Sequence, residues 1–217
     1  VPMKRHGFTL LFLFVPILLV FGDSLFGANA WFNAPSLFSY YPWKVKGLYS
    51  VEQVMNLDPI RQFLPFKVVS VESLYRNGIF PLWNPYILAG MPFFASGTKS
   101  VLSIFNFSYT FLDVPAALNW QLAAQFLVAG LFMHLLAFRL TRDRMASLWA
   151  AAVYIVSGQF FTVMTFHTTV EDLALAPLLL WMADLAVAKG RIVHFSCLGS
   201  LLAVVFLGGL ETVFPFL

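Results

Sequence analysis

Charge is scarce in this chain. Only 11% of its 217 residues are Asp, Glu, Lys or Arg, against about 25% in soluble domains. So few charges cannot cover the surface of a water-soluble fold of this length. Cysteine occurs once, at Cys197, which excludes a disulfide framework within the chain. There is no internal repeat and no low-complexity tract. Basic residues outnumber acidic ones by only 13 to 10, too small an excess to imply a polyanionic partner, so nucleic acid is excluded. What is abundant is apolar: 60% of the residues are hydrophobic and the mean hydropathy is +0.81, where soluble chains are roughly 45–50% apolar. A soluble enzyme and a disordered chain are both excluded. The expectation is an all-α integral membrane protein, one membrane domain over residues 1–217.

The first apolar run, Phe8 to Gly22, follows Lys4, Arg5 and His6. A charged start, a short apolar stretch and Ala28-Asn29-Ala30 match a secretory signal with its cleavage site. The rival reading, preferred here, is a first membrane helix lengthened by Ser24 to Phe26, about 20 residues and long enough for a hydrocarbon core of roughly 30 Å. Four more spans are expected: Val114–Phe138, Met145–Phe166, Thr168–Ala188, and Ile192 onward. Arg139, Arg142 and Arg144 separate the second and third spans, and Lys189 and Arg191 the fourth and fifth. With Lys4 and Arg5, seven of the 13 bases fall on short segments of one side, which the positive-inside rule makes cytoplasmic. The N-terminus is then inside and residues 27–113 form a long outer loop. The chain reads as the front part of something longer, or as a remnant with five spans.

That outer loop is too long for a passive connection and too rich in Trp, Phe, Tyr and Leu to be disordered. From Asp58-Pro59, the residues Ile60, Phe63, Leu64, Val68, Val71, Leu74 and Tyr75 recur at spacings of three and four. This predicts an amphipathic juxtamembrane helix, kinked or divided at Pro65 and stopped at Asn77-Gly78. The stretch from Phe80 to Pro92 holds three prolines and a glycine, which forbid a continuous helix, while Trp83 and Tyr86 suit a membrane interface. Val101 to Leu112 is apolar but too short to cross, so it re-enters or lies against the bundle.

These residues resemble a family. Asp58-x-x-x-Gln62-Phe63-x-Pro65, then Gly78-x-x-Pro81-Leu-Trp83-Asn84-Pro-Tyr-x-x-x-Gly90-x-Pro92, is similar to the first outer loop of YfhO-like bacterial membrane proteins. The similarity continues through Ala151-Ala-Val-Tyr154-x-x-Ser157-Gly158 and Leu175-Ala-Pro177 to Gly208-Gly209-Leu-Glu211. Such proteins look like GT-C glycosyltransferases, and the resemblance covers the N-terminal portion of their longer pattern. It implies an inner-membrane protein that transfers a sugar from polyprenyl phosphate at the outer leaflet. Asp58 is then the catalytic carboxylate, with Arg61, Gln62, Trp83, Asn84, His167, Glu171 and Glu211 as substrate or lipid-phosphate contacts.

Each candidate has a plainer reading. Glycosyl transfer needs a base for the acceptor proton, and a carboxylate at the membrane boundary suits it; Asp before Pro is equally a helix N-cap. Arg61, Lys67, Arg76 and Lys99 are the outer bases available for a lipid phosphate. Arg61 is favoured, one turn from Asp58, since a guanidinium grips phosphate bidentately; alternatively it snorkels from an interfacial helix. His167 and Glu171, four apart, would share a helix face and could bind a divalent metal or exchange protons, although no third ligand is fixed by spacing. A hydrogen-bonded loop histidine is the plainer account. Asp23 and Glu211 sit at the rims of apolar runs, and Asp113 and Asp172 read as solvated helix ends. Asn119, Gln121 and Gln125 read as polar ties between helices, as do His134 and His194 rather than as axial ligands to a haem. Two functions follow: the glycosyltransferase, or a non-catalytic accessory subunit held among other membrane subunits. A transporter lacks the expected paired broken helices.

Overall fold

A computed structural model of the chain describes residues 4–27, 58–96, 101–164 and 166–208. It is mostly helical, with seven α-helices among those residues: α1 Lys4–Phe26, α2 Leu64–Ser70, α3 Val114–Thr141, α4 Arg144–Ile155, α5 Gly158–Val163, α6 His167–Lys189 and α7 Ile192–Gly208. One short antiparallel pair, β1 (Trp83–Asn84) and β2 (Met91–Pro92), joins Trp83 to Pro92 and Asn84 to Met91. Two helical stretches are long and apolar enough to cross a membrane: Val114–Thr141 and Arg144–Val163. The apolar parts of α1 and α7, Phe12–Phe26 and Ile192–Phe206, are shorter. Glu211 and Lys99 lie outside the described residues.

Helix α3 is the centre of the bundle, packing against α1, α4 and α6, while α7 packs on α6. Its side chains Leu122, Phe126 and Ala129 join Leu13, Ile17 and Phe21 of α1, Ile155 of α4, and Ala174 and Leu175 of α6 in one core. Phe126 carries edge or tilted ring contacts to both Phe21 (5.0 Å) and Phe160 (4.8 Å). The α3–α4 turn is tight: Arg142 takes a left-handed φ of 57°, and Asp143 caps α4 by accepting from the Met145 and Ala146 N–H groups. Arg139 of α3 pairs with Asp184 of α6 near that end, and Gly190, also left-handed, closes α6.

The expected third span is interrupted. α4 ends at Ile155, and α5 begins only at Gly158, after the extended Ser157. Hydropathy does not register this break, because Val156 continues the apolar run.

Two carbonyls left without a partner in their own helix are met by a side chain of a neighbouring helix, as a low-dielectric setting favours. Pro177 lies inside α6 and has no N–H for the carbonyl four residues back, that of Leu173. The Tyr154 hydroxyl of α4 donates to that carbonyl at 2.8 Å. Likewise, the Asn119 amide of α3 donates to the Ser24 carbonyl in the last turn of α1 at 2.7 Å. Such carbonyls have no partner within their own helix. Replacing Tyr154 by Phe keeps the ring and removes the donor, so it leaves the Leu173 carbonyl unpaired. Thermal unfolding of purified Tyr154→Phe should show a loss of about 1–3 kcal/mol, and an unchanged midpoint would contradict this role.

Candidate functional site

The segment that begins at Asp58 is helical to Arg76 and divides as its proline dictates. Pro65 cannot donate, and the ladder before it opens into a wide π-type turn, Pro59–Phe63, in which the Leu64 N–H reaches back to the Pro59 carbonyl. The regular turn α2 follows, then a second wide turn, Val71–Arg76. Gly78, with φ +66°, ends it by donating to the Leu74 carbonyl at 3.2 Å. After the hairpin, a 3-10 helix, Ile104–Thr110, lies against α3. Its Ser108 hydroxyl donates to the Ala117 carbonyl at 3.2 Å, so the apolar stretch packs on the bundle.

These pieces enclose a polar cluster where α3 and α6 begin. Lys67 is only 7% exposed. Its ammonium donates to Asn106 Oδ1 at 2.8 Å and lies 5.2 Å from the centre of the Tyr109 ring. Asn106 in turn donates to the Val101 carbonyl at 3.2 Å. Tyr109 donates to Gln121 Oε1 at 2.8 Å, and one turn along α3 Gln125 donates to the His167 carbonyl at 3.2 Å. Glu171, 2% exposed, faces this seam near the Ser103 hydroxyl. Its charge acts on Lys67 without direct contact.

Burial governs how these groups titrate. It pushes the Lys67 ammonium down to about 8, and the Glu171 carboxylate opposes that fall only in part. It also raises Tyr109 well above the ordinary phenol range, with Tyr75 adding to the rise. Tyr75 itself is raised by burial, an effect reduced by its hydrogen bond with Asn106.

The candidate residues divide into three groups. Asp58 and Arg61 are exposed and Gln62 half-buried at the start of the helix that runs from Asp58 to Arg76. Asp58 holds the N-cap position, but its side chain makes no capping hydrogen bond and its backbone is already helical (φ −57°, ψ −40°). The plainer account, a cap, therefore does not describe it. His167 and Glu171 share one face of α6 and are both buried. The first two groups are neighbours, because Phe63 meets Phe166, just before α6, edge-on at 5.5 Å. Trp83 and Asn84 form the third group, in the hairpin. Asn84 is buried and accepts from the Tyr86 N–H at 2.9 Å, the geometry of an Asx turn. Its Oδ1 builds the turn, while its buried Nδ2 has no hydrogen-bond partner. Asp23 and Asp113 are exposed helix-end residues.

Among the described residues, no three of His, Cys, Asp and Glu gather where a metal could sit, and His167 with Glu171 remains a pair. Lys67, Asn106, Tyr109 and Gln121 are the residues that sequence reasoning did not assemble into a site. The signal for Lys67 was present: it falls three or four residues from Phe63, Leu64 and Val71, in register with the apolar stripe.

Lys67 holds fewer protons in the folded chain than in the unfolded one between pH 8 and 10.5. The cost of burying its charge is complete below pH 8 and is relieved as pH rises through that window. Thermal unfolding from pH 7 to 10.5 should therefore show the native chain gaining on Lys67→Met by on the order of 3 kcal/mol. A difference that stays flat would place Lys67 in water. In comparison with known proteins, no family model, no curated protein and no solved structure matches this chain.

Proposed function

We infer that the chain is a YfhO-like, GT-C-like membrane glycosyltransferase, acting on a polyprenyl-phosphate sugar at the outer leaflet of a bacterial inner membrane. In this reading all five apolar helical stretches cross the bilayer: α1, α3, α4 with α5, α6 and α7. The N-terminus and the bases of the α3–α4 and α6–α7 turns lie in the cytoplasm, and residues 27–113 lie outside. The single observation that carries the reading is the seating of the juxtamembrane helix. Lys67 ties it to the 3-10 helix through Asn106, its apolar face meets α3 through Val71 and Leu64, and Asp58 and Arg61 stay exposed at its start, next to the beginning of α6.

The chemistry follows from those two positions. The Asp58 carboxylate takes the proton of an acceptor hydroxyl as its oxygen bonds to the anomeric carbon of the sugar. The bond from that carbon to the phosphate oxygen breaks, and polyprenyl phosphate leaves with the electron pair. Arg61, one turn away, is placed to hold the departing phosphate through paired N–H groups. His167 and Glu171 are sealed in the seam and support the floor of the site instead of touching sugar.

One observation favours the second reading, a non-catalytic subunit of a larger membrane complex. The most polar part of the bundle, Gln121, Gln125, His167 and Glu171, is closed to solvent. The test is sugar transfer from a polyprenyl-phosphate donor by the protein in its native membrane particle. Asp58→Asn should lower the rate by about 10²–10⁴-fold while thermal stability is retained. Undiminished transfer would remove Asp58 from the chemistry. Absence of transfer in the native particle, with stoichiometric membrane partners bound, would favour the subunit.

A further inference from the structure

We propose that the hairpin spanning Leu82–Phe93 is a membrane anchor that lowers its turn into the outer boundary of the bilayer. The proposal rests on the membrane reading above but not on sugar transfer. Residues 77–98 contain no charged side chain and no histidine. Within them Trp83 is 56%, Tyr86 81% and Leu88 85% exposed, and Ile79 and Leu82 are exposed as well. A contiguous apolar surface of this kind marks an interaction site. Tyr and Trp, apolar in the ring and polar at the tip, are the side chains that favour the lipid–water boundary. A protein-binding face would be expected to carry a polar rim, and no charged side chain lies between Arg76 and Lys99 to contribute to one. Just before this stretch, Arg76 and Glu72 form a solvent-exposed ion pair at 2.7 Å, so the boundary between water and lipid falls near Asn77.

The turn is rigid and strained in a way that serves the tip. Leu88 and Ala89 both have positive φ, 53° and 60°. Turns of this kind favour Asn, Asp or Gly, and a bulky residue held there carries a local cost. An apolar leucine is nevertheless kept at the most exposed point. The conformation is held from below. The Phe93 N–H donates to the Leu82 carbonyl at 2.8 Å, and the buried Phe93 ring meets Phe66 of the juxtamembrane helix edge-on at 5.7 Å. Gly90, at φ +110°, lets the Trp83 indole lie over the turn, since a β-carbon there would be 2.6 Å from the indole nitrogen. Anchoring therefore depends on the same helix that carries Asp58, so insertion of the hairpin fixes the height of Asp58 above the membrane.

The experiment uses the full chain with Cys197→Ser as background, in nanodiscs of phosphatidylcholine and phosphatidylglycerol. Spin labels are placed singly at Asn77→Cys, Tyr86→Cys, Leu88→Cys and Val153→Cys. Oxygen and a water-soluble nickel chelate report the depth of each label. The expected result puts 86 and 88 about 5–10 Å below the headgroup boundary, 77 in water, and 153, on the exposed face of α4, in lipid. Labels at 86 and 88 that respond to the chelate as 77 does, with 153 in lipid, would overturn the anchor and leave the membrane reading intact. Labels at 86 and 88 shielded from both reagents would mean a protein or a second copy covers the hairpin, which also overturns it. A label at 153 in water would overturn the membrane reading and the anchor together.

Discussion

A lysine ammonium in an apolar assembly persists only if its surroundings hold it, and Lys67 is held from several sides. Asn106 accepts its hydrogen bond, the Tyr109 ring lies beneath it, and the carboxylate of Glu171 attracts it. The three come from two different parts of the chain, the 3-10 helix before α3 and the first turns of α6. One buried cation thereby ties the helix from Asp58 to the 3-10 helix, which packs on α3. Without that tie, the helix would rest on apolar contacts, those of Leu64, Phe66, Val71, Leu74 and Tyr75 and the Phe63–Phe166 pair. Such apolar contacts bring the surfaces together but specify register less sharply than a buried polar partner does. The location of Asp58 and Arg61 beside the start of α6, and the presentation of the hairpin through Phe66, are both downstream of this one arrangement.

The bundle is held by a related device: side chains of one helix hydrogen-bond backbone carbonyls of the next, two of them carbonyls that Pro177 and the end of α1 leave without a partner. Tyr154 serves the carbonyl freed by Pro177, Asn119 serves the end of α1, and Gln125 reaches the start of α6. Each tie joins two helices at one depth, which apolar packing by itself does not do. Helix α3 supplies Asn119, Gln121 and Gln125 from successive turns of one stretch. It is therefore both the centre of the core and the polar spine to which α1, the loop segment and α6 are pinned.

Much of this architecture was legible. Val114 as the start of α3, and the limits of α6 to within a residue, follow from long apolar runs bounded by Pro and by basic turns. The helix from Asp58, its division near Pro65 and its stop at Gly78 follow from spacing and from what proline and glycine permit. Asn119, Gln121 and Gln125 are the polar ties their positions suggested. Three features were not legible, each for a physical reason. The break between α4 and α5 lies in an apolar run, and only Ser157-Gly158 hinted at it. The prolines and Gly90 marked a turn-rich stretch, but Leu88 and Ala89 stand where turn chemistry would place Asn or Gly, so the hairpin itself was not marked. The cluster around Lys67 joins residues 67, 106, 109, 121 and 171, brought together by folding; a lysine in an apolar stripe was its one local trace. Asn84 also has a meaning the motif does not convey, since it builds a turn.

The central claim is that Lys67 and Glu171 stabilise each other inside the seam and so seat the juxtamembrane helix. A double-mutant cycle on Lys67→Met and Glu171→Gln, read by thermal unfolding of the purified chain in lipid, tests it most directly. Each single change relieves the burial of one charge but leaves the other buried group without its counterpart. The double variant should then be more stable than the sum of the two single effects predicts, by about 0.5–3 kcal/mol. Strict additivity would mean that the two side chains do not act on each other, and the account of how the helix is held would fail.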